Sequence, residues 1–251
     1  REAYKNFRNL AILWSIGKDS TVLLWLAKKA FMGHVPLPLL HIDTTYKIPE
    51  MIRYREEIVK KENLKLYVYT NEDAIRDGMN HTKGRMICCK ALKTDALKQA
   101  VEKYKLEGLF LGIRGDEEGS RSKERVFSIR NKDSKWDYRD QQPELWDQYQ
   151  TSCELGSHLR VHPLLSWREV DIWEYIKREK IPVTDLYFAK DGKRYRSLGC
   201  YPCTSPVISN AKNVDEIIAE LKTSKESERA GRAQDKEDVY ALQKLRSQGY
   251  M

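Results

Sequence analysis

A short glycine turn between a buried strand and a helix constrains this chain more than any other feature. Asn9 to Ser15 (NLAILWS) is apolar almost throughout and runs into Ser15-Ile16-Gly17-Lys18-Asp19-Ser20. Thr21 to Phe31 then sets Leu23, Leu24, Leu26, Ala27 and Ala30 on one helical side. A short apolar run ended by a turn reads as a buried strand, and apolar residues three and four apart read as the helix that covers it. The alternation continues: strand over 38–42 (PLLHI), helix over 49–62, strand over 64–69, helix over 95–104, strand over 109–113 (LFLGI). The expected fold class is therefore α/β, a mostly parallel sheet with helices on both faces. After Gly115 the texture changes. Residues 116–147 are crowded with charge and show no legible ladder, 158–164 reads as a short strand, and 167–180 and 214–221 read as helices in a helical, loop-rich C-terminal part. The last thirty residues read as an exposed arm or helix.

Composition narrows the partners. Of 251 residues 41% are hydrophobic and 33% charged, which suits a globular chain and excludes a disordered one. No apolar run approaches the roughly 18–20 residues that span a bilayer, so no membrane association is expected. With no secretory signal visible, a cytoplasmic location is expected. The chain opens at Arg1, which leaves room for an upstream segment. The net charge of +8 suits either an anionic partner or plain solubility. Five cysteines, an odd number, argue against a disulfide framework and for thiols, a metal site or redox chemistry.

The turn has the chemistry of an anion seat. Gly17 lets the backbone come close to an oxyanion, the N–H groups of Lys18, Asp19 and Ser20 open a helix whose dipole favours negative charge, and Ser15, Ser20 and Lys18 add donors. Ile42, Asp43 and Thr44 end the second strand, and Gly112 and Arg114 end the fourth, where ligands of open parallel sheets lie. Arg114, Arg121 and Arg125 are placed to reach phosphates, and Asp116 and Glu117 to help hold Mg2+. For Asp43 a turn cap is the competing reading.

The loop resembles the S-x-G-K-D-S pyrophosphate loop of the PP-loop ATP pyrophosphatases. That resemblance implies an adenine nucleotide α-hydrolase-like fold and cleavage of ATP between its α and β phosphates. It makes Lys18, Asp19 and Arg114 the catalytic candidates. Ser15, Gly17, Lys18, Asp19, Ser20, Ile42, Asp43, Thr44, Gly112, Arg114, Arg121 and Arg125 are the candidate ATP-binding set. Residues 1–165 would form the nucleotide-binding α/β domain and 166–251 the C-terminal region. SIGKDST, LPLLHIDTTYK, GIRGDEEGSRSKERVFSIR, PELW and RVHPLLSWREVDIWEYI together resemble the small subunit of bacterial sulfate adenylyltransferase over nearly the whole chain.

Four of the cysteines occur as Cys88-Cys89 and as Cys200-Tyr201-Pro202-Cys203. Their contexts resemble the iron–sulfur motif of adenylylsulfate reductases, which implies a [4Fe–4S] cluster on Cys88, Cys89, Cys200 and Cys203. Zn2+ on the same four thiols, a redox pair and plain buried thiols remain alternatives. Cys153 reads as incidental or as a sulfur-carrying nucleophile. No cysteine follows Cys203, so the C-terminal nucleophile of those reductases is missing. An adenylylating loop, a cluster motif, no reductase nucleophile and excess positive charge resemble the PP-loop sulfur-transfer proteins of DNA phosphorothioation (DndC and SspD type). That resemblance implies adenylation of a DNA backbone phosphate, with a cysteine desulfurase as sulfur donor and other phosphorothioation proteins as partners. DNA contacts would fall on 190–196 and 229–236, and homo-oligomerisation is left open. The alternatives are a sulfate adenylyltransferase small subunit working with a GTPase partner, and an adenylylsulfate reductase-like enzyme.

Overall fold

The computed structural model describes residues 1–139, 141–146, 148–152, 154–224, 228–231 and 247–249. Eight helices are found among them: α1 (Glu2–Asn6), α2 (Lys18–Ala30), α3 (Pro49–Lys61), α4 (Glu72–Arg76), α5 (Arg85–Cys89), α6 (Ala96–Lys103), α7 (Glu169–Glu179) and α8 (Val214–Thr223). The main sheet has six strands, β1 (Leu10–Leu13), β2 (Leu39–Ile42), β3 (Leu66–Tyr69), β4 (Gly108–Leu111), β5 (Phe127–Arg130) and β6 (His158–Val161), in the order β3-β2-β1-β4-β6-β5. All neighbours run parallel except β5, which lies antiparallel on β6. A separate small ribbon pairs β7 (Lys193–Arg194) with β8 (Val207–Ile208).

The expected mostly parallel sheet with helices on both faces is present, and its two cores follow from strand alternation. Leu10, Ile12 and Trp14 face one core, with Val22 to Leu24 of α2, Met51 and Ile58 of α3, and Ile172, Trp173 and Ile176 of α7. Ala11 and Leu13 face the other, with Leu40, Ile42, Leu109 and Leu111, covered by Ala96, Leu97 and Ala100 of α6. Helix α7 lies against both α2 and α8, so the C-terminal helices share the first core with the sheet.

The short helices α1 and α4 and the β7–β8 ribbon go beyond the sequence reading, and two further differences lie nearer the site. The charged stretch after Gly115 does contain a strand, β5, whose Arg130 is wholly buried and ion-paired with buried Glu124. Upstream of α6, helix α5 runs into a widened π turn over Lys90–Asp95 that starts directly after Cys89.

The order of strands sets the place of a ligand. From β1 the chain moves outward through β2 to β3, then crosses back to lay β4 on the other side of β1. The crevice at the carboxyl ends of β1 and β4 is this switch point, and open α/β sheets bind ligands there.

Candidate active site

The loop after β1 and the start of α2 sit in that crevice. Ile16 turns through φ 70°, a conformation costly for a β-branched residue, and so aims the following N–H groups outward. Gly17 itself has ordinary extended dihedrals, φ −74° and ψ 162°. A Cβ there would meet Ser15 Oγ at 3.4 Å and Tyr187 Oη at 3.6 Å, so the missing side chain leaves a seat between two hydroxyls rather than relieving a clash. Ser20 Oγ donates to the Gly17 carbonyl at 3.0 Å and lies 3.1 Å from Ser15 Oγ. The Lys18 N–H donates to Tyr187 Oη at 2.8 Å.

Gly112 has a different task. A Cβ on it would press within 2.8 Å of the Asp19 carbonyl carbon and the Ser20 nitrogen, so glycine lets the end of β4 pass the first turn of α2. This contact brings Arg114 to the loop. Arg114 is wholly buried and pairs with Asp19 and Glu228, while its Nε donates to Asp116 Oδ1 at 2.9 Å. Lys18 is buried too, 3.2 Å from Asp19 and paired with Glu228. Arg121 pairs with Glu117. Glu169, at the start of α7, is held by Arg196 at 2.8 Å and lies 4.0 Å from Lys18.

The charges follow from these contacts. Burial works against a charged Lys18, but Asp19, Glu228 and Glu169 raise its pKa, so it stays protonated. Burial alone would raise the Glu228 carboxyl; Lys18 and Arg114 hold it well below the usual carboxylate range. Glu117 is likewise held down by Arg121 against its burial, whereas burial and the Glu228 charge raise Glu169. Asp19, Glu117 and Glu228 have carboxylate oxygens within 4.8 Å of one another, a hard-oxygen set that suits a divalent cation.

A cavity runs from the loop past Lys47 and Lys93 to Ser197–Gly199 and Arg229. A second cavity, which shares Lys93 with the first, gathers Cys88, Cys89, Cys200 and Cys203 with Thr44 and Arg85. The vicinal pair comes from the end of α5 and the other pair from a tight turn after Gly199, and all four are free thiols. Thr44 Oγ1 lies 3.1 Å from Cys200 Sγ, and the Tyr201 N–H donates to the Tyr46 carbonyl at 2.7 Å. Burial, then the neighbouring Cys89 and Cys200, push the Cys88 thiol up to about 11.

Of the residues singled out in the sequence, Ser15, Gly17, Lys18, Asp19, Ser20, Gly112, Arg114 and Arg121 converge on the crevice. Four do not line it among the described residues. Asp43 caps the Thr45 N–H at 2.8 Å and lies 3.5 Å from Arg55, which is the turn-cap reading. Ile42 belongs to the α6-side core and Thr44 to the thiol cavity. Arg125 lies on another groove, with its Nε on the Gln142 carbonyl at 3.2 Å. Tyr187, Glu169 and Glu228 were not foreseen, and Arg196, expected on a DNA-contacting stretch, instead holds Glu169. The first three come from distant segments with no local spacing to mark them, and the final stretch read as an exposed arm instead buries Glu228 and Arg229 in the site.

A family model for the phosphoadenosine phosphosulfate reductase domain matches residues 9–206. The chain belongs to this family. Within this PP-loop superfamily member the whole chain aligns with sulfate adenylyltransferase subunit 2 of Citrifermentans bemidjiense, at 41% identity and covering 93% of that protein. Subunit 2 of Allorhizobium ampelinum is 42% identical, again over all of this chain and 89% of the relative. The crystal structure of phosphoadenylyl-sulfate reductase from Candida auris, a phosphate complex, shares the fold with a TM-score of 0.55 at 17% identity, over 82% of this chain and 87% of that one.

These relatives overturn the DNA phosphorothioation reading, since full-length likeness attaches to sulfate adenylyltransferase subunit 2. The arginines of the supposed DNA-contacting stretches are engaged within the fold: Arg194 is buried with Ser209 and Glu220, Arg196 is held by Glu169, and Arg229 is buried in the crevice, which leaves Lys190 and Lys193 as the exposed cations of 190–196. Residues 232–236 and Cys153 lie outside the described residues. Among the described residues no helix is long and apolar enough to cross a membrane.

Proposed function

We propose that the chain is the adenylyl-transferring small subunit of a sulfate adenylyltransferase. A sulfate oxygen attacks the α-phosphorus of ATP, the bond from that phosphorus to the oxygen bridging to the β-phosphate breaks, and adenylylsulfate and pyrophosphate result. The observation that carries this reading is the full-length identity of 41–42% to subunit 2 enzymes, on a chain whose loop offers a phosphate seat. Lys18, the α2 N-terminus, Arg114 and Arg121 would hold the β and γ phosphates and take up the negative charge that grows on the leaving pyrophosphate. Asp19 orients Lys18 and Arg114 through its ion pairs with both.

Asp19, Asp116, Glu117, Glu169 and Glu228 surround Lys18, Arg114 and Arg121, so the charge of these three cations is largely compensated by the protein's own carboxylates. This supports Mg2+ as cofactor, held by Asp19, Glu117 and Glu228, where it would neutralise phosphate charge. The relatives are named as a second subunit, which supports a partner large subunit. The measurement is pyrophosphate release from ATP by this chain with its partner subunit. Release is expected to depend on sulfate and to fall about a thousandfold in Lys18→Ala; release indifferent to sulfate overturns the reading.

The four thiols suit a [4Fe–4S] cluster. Burial raises the Cys88 and Cys203 thiols and Lys93 beside them works the other way, so a bound metal centre is what would hold them ionised. The sequence contexts of the two cysteine pairs support the cluster over Zn2+ on the same thiols. Bound there, the cluster would tie the α5 end to the 200–203 turn. Anaerobically purified protein is expected to carry about four irons and four sulfides per chain, lost in Cys88→Ser/Cys203→Ser; stoichiometric zinc instead overturns the cluster.

A further inference from the structure

Tyr187 is a buried phenol that the proposed chemistry leaves without a task. It is 1% exposed, held edge-to-face on Trp173 with ring centroids 5.4 Å apart, and its hydroxyl reaches the crevice beside the phosphate loop. That oxygen accepts the Lys18 N–H at 2.8 Å, which orients it and leaves its own hydrogen with no acceptor among the described residues. It also borders the seat over Gly17, where an added Cβ would stand 3.6 Å from it, opposite Ser15 Oγ at 3.4 Å. Burial raises its pKa, so the proton stays on the oxygen throughout the neutral range.

Resting on the reading of this loop as a phosphate seat, we propose that Tyr187 is a phosphate-binding residue: it accepts from the Lys18 N–H and donates its own hydrogen to an oxygen of the phosphate seated over Gly17. The phenol thus passes the positive end of the α2 dipole one atom further into the crevice. No phosphate oxygen then needs to reach the Lys18 N–H itself, and Asp19 and Ser20 keep theirs for the ligand. A hydroxyl held at one end by a backbone donor and at the other by a buried ring is fixed before the ligand arrives, so little ordering is needed on binding.

The test is Tyr187→Phe in the full chain, titrated calorimetrically with inorganic pyrophosphate and Mg2+. The ring and its contact with Trp173 stay, so the melting temperature of the ligand-free variant should fall by no more than about 4 °C, the worth of one neutral hydrogen bond. Pyrophosphate should bind tenfold or more weakly, the usual range for a hydrogen bond to a charged group. Adenosine, which has no phosphate, should bind as it does to the parent. Equal or tighter pyrophosphate binding by the variant overturns the assignment, because the hydroxyl would then only shield the Lys18 N–H. A parent that binds no pyrophosphate overturns both the assignment and the phosphate-seat reading beneath it, whereas a parent that binds and a variant that binds equally overturns the assignment alone.

Discussion

At the scale of single residues, Gly17 shows why a glycine can matter to a ligand and not to the fold. Its dihedrals suit any residue, and an added methyl would make only ordinary contacts with Ser15 Oγ and Tyr187 Oη. Gly17→Ala should therefore fold with stability within about 1 kcal/mol of the parent, since a less flexible unfolded chain roughly offsets the poorer helix cap. The same methyl fills the seat, so affinity for ATP should drop by tenfold or more. Urea denaturation and nucleotide titration of one preparation check both halves; a large loss of stability would show that the glycine serves the backbone instead. The neighbouring strain belongs to the same logic. Ile16 at φ 70° and Thr45 at φ 64° are β-branched residues in a conformation that favours glycine; Ile16 follows β1 at the switch point and Thr45 follows the neighbouring β2.

At the scale of elements, the contrast is Gly112, whose missing side chain lets β4 dock on α2. Gly112→Ala forces a methyl to within 2.8 Å of α2 backbone, which cannot swing aside as a side-chain tip can. It should cost about 1–3 kcal/mol, read as a lowered urea midpoint with an unchanged slope. Such packing also explains what was legible in the sequence. Strands β1, β2 and β4 announce themselves because both their faces are largely buried, which demands near-continuous apolar runs, with His41 in β2 the polar exception, and α2 and α7 because one face is buried. Strand β5 was hidden because its inward side chains include Ser128 and Arg130, which are satisfied by Glu124 rather than by apolar neighbours. Helix α5 was hidden because its five residues, RMICC, are too few to show a period, and its cysteines face a cavity rather than a core. The loop residues Ser15 to Ser20 and Arg114 could be read because strand ends and glycine turns fix their place locally. Tyr187, Glu169 and Glu228 could not, because only the closed fold brings 169, 187 and 228 to residue 18.

At the scale of the whole molecule, the chain's far end closes on its beginning. The Glu228 carboxylate, 210 positions from Lys18, bridges Lys18 and Arg114 inside the crevice, as a phosphate oxygen pair would. An anion supplied by the chain itself compensates two buried cations in the ligand-free state, and it also stands in the way of the anion that the crevice would bind. Glu228→Gln separates these effects. The ligand-free variant leaves two buried cations short of a partner, so it should lose about 3–5 kcal/mol and melt roughly 10 °C lower. Without Mg2+, added pyrophosphate should then raise the variant's melting temperature more than the parent's, because the seat has been vacated. With Mg2+ the order should reverse, because Asp19 and Glu117 alone hold the ion less well than the full trio. A variant that gains less from pyrophosphate in both conditions would mean that Glu228 never competes with the ligand and serves the cation alone. A variant that gains more in both would mean that it guards the anion seat and never ligates the metal.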